Sequence, residues 1–454
     1  MTIPIYARRG RQIDDTTGYV IPAGRNYICT DGFIEAYEGN NIRVADISGR
    51  CRLAIYGEEW DNTYVYTYSY QQEENWAAYK ETINLENQYI FNEHCFFRVE
   101  IELNEEPENA EEGESDSLEL SGYIEYSTNQ PEYKPKEFFL QEIDKTINEV
   151  QQACQSTGGK TGAEDYLVMP LLTDTHYVNN GTWDDTAYNL KQTCKGIKAD
   201  AIMHMGDITD GMVPIAVTRQ YTRIVMDDLK ENGVPVYILQ GNHDSNYFHN
   251  NPEKLTDEEQ YELYQEQTEE VPGLKRDGHN CYYYVDYPEK GSGIRMFCLT
   301  SFDYREQFRY GYSNELVEWF VKNLNNTPDQ YTVLVFSHVP PLPEIHAWSD
   351  VIRGSEAVVG ALEDYQTRTG NVAALIHGHS HADQVYRAKN FPIIGIGCNK
   401  CEEFYDHKPE GSTTYPRKRN TLSQDLWDVL VVDTKERELR FIRFGAGDNR
   451  VVKW

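Results

Sequence analysis

Apolar and polar residues alternate along the first 130 positions, and continuous apolar runs replace that pattern from residue 166 onward. Alternation of period two is clear in Tyr64-Val65-Tyr66-Thr67-Tyr68-Ser69-Tyr70, in Cys95-Phe96-Phe97-Arg98-Val99-Glu100-Ile101-Glu102-Leu103 and in Leu118-Glu119-Leu120. Shorter runs occur at Tyr27-Ile28-Cys29, Ile42-Arg43-Val44 and Arg52-Leu53-Ala54-Ile55-Tyr56, separated by Gly39-Asn40-Asn41, Gly49 and Gly57. A side chain flips face at every residue of a strand, so this pattern predicts many short half-buried strands. Their spacing predicts an all-β sandwich or jelly roll over residues 1–130. The stretch from Asn104 to Asp116 is rich in Glu and poor in apolar residues. It reads as a solvated loop, and EF-hand spacing is absent from it.

Asn129-Gln130-Pro131 and Lys134-Pro135 open a linker over 131–163. Within it, Phe139, Ile143, Ile147 and Val150 recur at helical spacing and form one apolar stripe. That stripe either docks on a neighbouring domain or pairs with a second copy as a short coiled coil, which would make a homo-oligomer. Ser156-Thr157-Gly158-Gly159-Lys160-Thr161-Gly162 reads as a joint. It is not a P-loop, because the first glycine is missing and the segment precedes a strand.

Residues 164–454 alternate strands with helices. Strands are expected at 166–172, 201–205, 234–239, 296–299, 332–336, 372–376 and 392–396, and helices at 187–197 and 217–229. Thr256 with Glu259 is a capping-box signature for an acidic helix, and 427–433 with 440–444 reads as a closing hairpin. The fold class expected is therefore α/β, a layered β-sandwich flanked by helices, preceded by the all-β domain.

Five short blocks follow apolar runs in this region: Asp174-Thr175-His176, Gly206-Asp207, Gly241-Asn242-His243-Asp244, Ser337-His338 and Gly378-His379-Ser380-His381. Residues beyond the carboxyl ends of strands in a layered fold converge on one crevice, so these groups can meet. Asp, Asn and His suit a divalent cation, and Asp207 has two oxygens with which to bridge a pair. Glycines 206, 241 and 378 would let the backbone turn sharply beside the ions. A two-metal centre of this kind points to hydrolysis of phosphate esters.

The order D-x-H, G-D, G-N-H-D, H, G-H-x-H resembles the calcineurin-like metallophosphoesterase superfamily over roughly residues 165–445. The resemblance implies one ion held by Asp174, His176, Asp207 and His381, and another held by Asp207, Asn242, His338 and His379. It implies Mn, Fe or Zn as the metals and a metal-bridging hydroxide as the attacking group. It further implies that His243 stabilises or protonates the leaving oxygen, with Asp244 orienting it. Asp210 resembles the G-D-x-x-D form of some members that act on cyclic nucleotides, or else caps the next helix. His204 and His377 lie beside the blocks and read either as partners of the ligands or as core histidines. His94, His249 and His346 read as surface or packing residues. The N-terminal region resembles jelly-roll modules of phage tail and baseplate proteins. That likeness implies attachment to a carbohydrate or phosphate-containing cell-envelope polymer, and a virion-associated enzyme.

Composition narrows the partners. Acidic residues outnumber basic ones by 74 to 42, a formal charge of −32, and that field disfavours long nucleic acid as a substrate. Nine cysteines are too scattered for a disulfide framework, and Cys398-Asn399-Lys400-Cys401 lacks the second pair a metal site would need. No apolar h-region follows Met1 and no run of about 20 apolar residues occurs, so neither a secretory signal nor a membrane span is expected. A cytoplasmic or virion-associated location follows. The rival reading is a structural or adhesion protein with a vestigial metallophosphoesterase domain; a decayed site would have lost ligands, and all seven are present.

Overall fold

A computed structural model describes residues 2–30, 32–45, 47–60, 77–105, 117–155, 166–179, 182–248, 251–387, 389–402 and 408–454. The alternating run at 64–70, the joint at 156–162, His249 and most of the Glu-rich stretch lie outside the described residues.

Strands run where the alternation places them in the N-terminal region. The central strand Cys95–Leu103 pairs antiparallel with Gly49–Trp60 and with Tyr27–Cys29. A second sheet has the order Thr2–Ile3, Ile124–Ser127, Asn41–Val44, Gln88–Ile90. Ala7, Ile28, Leu53, Phe97, Val99 and Ile101 from the first sheet share one core with Ile42, Ile124 and Tyr126 from the second. The opposite face of Cys95–Leu103 is buried as well, although its residues alternate with polar ones. Glu100 accepts from the Ile13 N–H at 2.6 Å and pairs with Arg52, and the Arg98 guanidinium lies 4.0 Å over the Phe33 ring. Phe96 on this face packs with Phe33, Tyr56 and Val178, and Val178 belongs to the α/β region.

The helix Glu137–Ala153 buries Phe139, Ile143 and Val150 against the helix Thr182–Ile197 and the strand Glu438–Gly445. The Phe139 and Phe444 rings stack at 6.0 Å. The stripe is thus consumed inside the chain, and the coiled-coil reading that would have made a homo-oligomer is lost with it.

The α/β region has four layers. One sheet has the order Val236–Ile238, Ile202–His204, Tyr166–Leu172, Leu426–Asp433, Glu438–Gly445, Arg450–Lys453. The other has the order Leu274–Lys275, Tyr283–Tyr287, Ile294–Leu299, Thr332–Ser337, Val372–His377, Ile393–Gly395, Gln384–Tyr386. Strand periodicity explains why the central strands are apolar throughout. Leu167, Met169 and Leu171 face the second sheet, whereas Tyr166, Val168 and Leu172 face the outer helices. Val333 and Val335 likewise meet the helices Asn314–Asn325 and Ser355–Thr369, while Leu334 and Phe336 enter the inter-sheet core. The Thr256 capping box and the closing hairpin are present as expected. No helix among the described residues is long and apolar enough to cross a membrane.

Candidate metal centre

Each of the five blocks sits just beyond the carboxyl end of a strand: Tyr166–Leu172, Ile202–His204, Val236–Ile238, Thr332–Ser337 and Val372–His377. All seven candidate ligands converge. The ligand atoms of Asp174, His176 and His381 lie within 4.8 Å of one another, as do those of Asp207, His338 and His379. Asn242 Oδ1 is 3.2 Å from His338 Nε2. Asp207 Oδ2 lies between the groups, 3.8 Å from His176 Nε2 and 3.2 Å from His338 Nε2.

The backbone is bent to do this. Asp174, His176, Asp207, His379 and His381 all have left-handed conformations, with φ of 53°, 42°, 54°, 64° and 50°. Such residues cost on the order of 1–3 kcal/mol each and persist where the surroundings over-determine them. Here the Asp174 N–H donates to Gly206 O and the His176 N–H to Asp207 O, each at 2.9 Å, and the His379 N–H donates to Asp174 Oδ2 at 3.0 Å. Of the three expected glycine turns, Gly206 has a positive φ, 104°. Gly378 serves close approach instead: a Cβ there would sit 2.0 Å from Thr173 Oγ1.

Partners on the far side of each ring choose its tautomer. His338 Nδ1 donates to the Met205 carbonyl at 2.8 Å. His176 Nδ1 lies 3.1 Å from Asp210 Oδ1, and His381 Nδ1 lies 2.7 Å from Glu402 Oε1. The Met205 bond makes Nδ1 the protonated nitrogen of His338 and turns its Nε2 lone pair inward, as a metal ligand requires, while the Nδ1 atoms of His176 and His381 lie at ion-pair distance from their carboxylates. His176 Nε2 and His381 Nε2 are 3.2 Å apart. Asp174 Oδ1 and His379 Nε2 are buried without a hydrogen-bond partner. Converging lone pairs and orphaned buried acceptors are costly alone and are satisfied by cations, so the donor set fits a pair of divalent metals.

Electrostatics agree. Burial by itself would raise the Asp174 and Asp207 carboxyls, but His381 and His338 respectively lead the charges that hold them below the usual range. Burial would depress His338, yet Asp207 and Asp174 pull it up to about 9. The two buried carboxylates thus attract positive charge, which a pair of bound cations would supply in place of protonated rings.

Three expectations need correction. Asp244 does not orient His243: its carboxylate accepts the N–H groups of Asp207 at 2.7 Å, Ile208 at 2.9 Å and Gly241 at 2.8 Å, tying two ligand-bearing turns together. Burial and the Asp207 charge push that carboxyl up to about 7 against those three donors. The His243 ring is held instead by Nδ1 donating to the Asp210 carbonyl at 2.6 Å, and the Phe248 ring stacks on it at 3.7 Å. Burial, aided by His176, lowers His243 to about 4, so the site by itself favours the neutral ring. Asp210 does not cap the next helix, which starts after Pro214 without a side-chain cap. His346 is no isolated packing residue, because its ring lies 4.9 Å from that of His379, beside Tyr310 and Trp348.

His204 partners the site, with Nε2 2.8 Å from Thr175 Oγ1 and Nδ1 accepting the Gly206 N–H at 3.3 Å. His377 Nδ1 bonds the Gly378 carbonyl at 2.9 Å. Sequence reasoning missed Glu402 and set aside the Cys398-Asn399-Lys400-Cys401 segment, which the structure brings to the site. His381, Cys398 and Glu402 form a further tight cluster, and Lys400 Nζ lies 3.3 Å from Glu402 and 3.6 Å from Asp210. Cys398, Lys400 and Glu402 follow the strand Ile393–Gly395, so the strand-end rule applied once more would have found them.

Residues 171–383 match the family model of calcineurin-like phosphoesterases. A probable glycerophosphodiester phosphodiesterase of Arcobacter nitrofigilis is 28% identical over 231 residues, 47% of this chain and 72% of that protein. Weaker overall likenesses join it to solved structures. A dimetal phosphatase from Danio rerio has a TM-score of 0.45 and 15% identity, covering 63% of this chain and 99% of that one. A purple acid phosphatase from yellow lupin seeds has a TM-score of 0.44 and 11% identity, covering 100% of this chain and 74% of that one. The match over residues 171–383 and the two adjoining ligand clusters give that region a calcineurin-like metallophosphoesterase fold with a site suited to a dinuclear metal centre.

Proposed function

We propose that the chain hydrolyses phosphodiesters, with Asp174, His176, Asp207 and His381 holding one divalent cation and Asp207, Asn242, His338 and His379 the other. The observation that carries this is the placement of Asp207 Oδ2 between both ligand groups. When bound, the two cations supply Lewis-acid neutralisation of phosphate charge and activation of water. The chain's own residues do the rest. Asp244 fixes the spacing between the Gly206-Asp207 and Gly241-Asn242 turns. His243 Nε2 lies 3.7 Å from Asp207 Oδ2 and is directed inward by its Nδ1 bond, which suits contact with the leaving oxygen. A bound phosphate anion favours the protonated ring, so that Nε2 can return a proton to the departing alkoxide. A diester is favoured over a monoester by the likeness to a probable glycerophosphodiester phosphodiesterase.

For the N-terminal region, the strand pattern and the helix before the α/β region support attachment to a phosphate-containing surface polymer as a phage-tail module. The test of the central reading is direct. The chain with added manganese should cleave bis-(p-nitrophenyl) phosphate faster than p-nitrophenyl phosphate, and a chelator should abolish both. Turnover that survives complete metal removal would refute the reading; a faster monoester reaction would refute the diester preference.

A further inference from the structure

The carbonyl that holds His243 belongs to a segment gripped from the N-terminal region. Residues 211–213 follow Asp210. Asn251 Nδ2 donates to Gly211 O at 3.2 Å and to Val213 O at 3.0 Å, and Asn246 Nδ2 donates to Val213 O at 3.1 Å. From the other side comes Arg8, on the strand Tyr6–Arg9. Its Nη2 donates to Asn251 Oδ1 at 3.2 Å and its Nη1 reaches Met212 O at 3.5 Å. Its Nε lies 3.6 Å from Glu253, and the side chain is 4% exposed. Glu253 completes the clamp, accepting the Ile215 N–H at 2.9 Å and the hydroxyl of Ser117 from the N-terminal strand Ser117–Glu119. A separate contact repeats the arrangement: Val178, two residues beyond His176, is buried with Phe33, Tyr56 and Phe96. The N-terminal region therefore grips both the segment that follows His176 and the segment that orients His243.

We infer that the N-terminal β region is a positioning element of the catalytic centre, and that Arg8 is a positioning residue acting through residues 211–213 on the Asp210 carbonyl and so on His243. The physical link is short. The Asp210 carbonyl points where its peptide plane with Gly211 points, and Arg8 with Asn251 fixes that plane's continuation. Misplacing a catalytic group by about 1 Å can cost on the order of 100-fold in rate.

The inference rests on the proposed contact of His243 with the leaving oxygen, and the experiment separates the two. The full chain, Arg8→Gln, Arg8→Lys, His243→Ala and Arg8→Gln/His243→Ala are compared on aryl phosphodiesters whose leaving phenols span a range of acidity, with metal content measured for each. Arg8→Gln is expected to slow esters of poor leaving phenols by about tenfold while leaving p-nitrophenyl esters within about twofold. Metal content should be unchanged, Arg8→Lys should recover part of the loss, and the Arg8 effect should vanish in the His243→Ala background. Equal slowing of good and poor leaving groups, or an undiminished Arg8 effect without His243, overturns the role of Arg8 alone. A His243→Ala variant with no leaving-group dependence overturns both readings. Should Arg8→Gln fail to fold, Arg8→Lys carries the same comparison, since it keeps the charge but cannot reach Met212 O and Asn251 together.

Discussion

Replacing Asp244 tests whether the metal centre is built by a carboxylate that touches no metal. The side chain is fully buried and accepts three backbone N–H groups, from Asp207, Ile208 and Gly241. Alanine leaves three buried donors without an acceptor. At about 1–3 kcal/mol for each such group, Asp244→Ala should cost about 3–9 kcal/mol. Asparagine can keep the oxygen that serves Asp207 and Gly241 but turns an amide NH2 toward Ile208, so one bond is lost and the cost falls to about 1–3 kcal/mol. The same bonds join the turn of Asp207 to that of Asn242, so loosening them should weaken metal binding by about 10–100-fold. Calorimetry gives the stability and elemental analysis after dialysis gives the metal. The ordering expected for both is wild type, then Asp244→Asn, then Asp244→Ala. A double-mutant cycle with His243→Ala separates the two roles open to Asp244. If Asp244 acts on the turns, its effect on metal content is the same with or without His243. An Asp244→Ala variant with wild-type melting temperature and metal content would refute the reasoning outright.

Asp207→Ala removes an oxygen placed between both ligand groups; metal stoichiometry should fall below two per chain and phosphodiester turnover should be lost, as elemental analysis and a rate assay will read. Asp428, which pairs with Leu171 in the first sheet, tests a second buried charge cluster, where it is bonded to Arg443 at 2.9 Å and to Arg450 at 2.6 Å. Burial alone would raise its pKa, but the two guanidiniums hold it below 3.8. Its folded value is thus depressed, so its contribution to stability is present above the unfolded value and is lost as pH falls through the folded one. Asp428→Asn should flatten the acid limb of the stability curve below about pH 4 and, because Arg443 and Arg450 keep Asp383 as a partner, cost about 1–3 kcal/mol at pH 7; an unchanged acid limb by chemical denaturation would refute the assignment.

Much of this molecule is legible without coordinates, and the reasons are local. Strands such as Tyr166–Leu172 and Thr332–Ser337 are apolar on both faces because each is buried on both, and a short apolar run announces that by itself. The capping box at Thr256 and the hairpin turn after Asp433 are set within four residues. The seven candidate ligands could be placed together because strand ends in a layered fold share an edge, so motif position along the chain encodes position in space.

What tertiary structure alone decided are contacts between groups whose sequence neighbours say nothing about them. The Phe139 stripe looked the same whether it met a partner copy or Phe444. Asp244 follows His243 directly, yet its oxygens point to Asp207, Ile208 and Gly241, because three unsatisfied buried N–H groups attract a carboxylate more strongly than adjacency does. Asp210 lies four residues ahead of the helix N-cap Pro214 and faces His176. Arg8 and Asn251 are 243 residues apart and meet because the N-terminal sheet is covered on both faces, one of them by the catalytic region. Periodicity reports which face of an element is apolar; it carries no record of which surface will cover that face, since burial is non-directional and hydrogen-bond partners are chosen only after packing has brought them close.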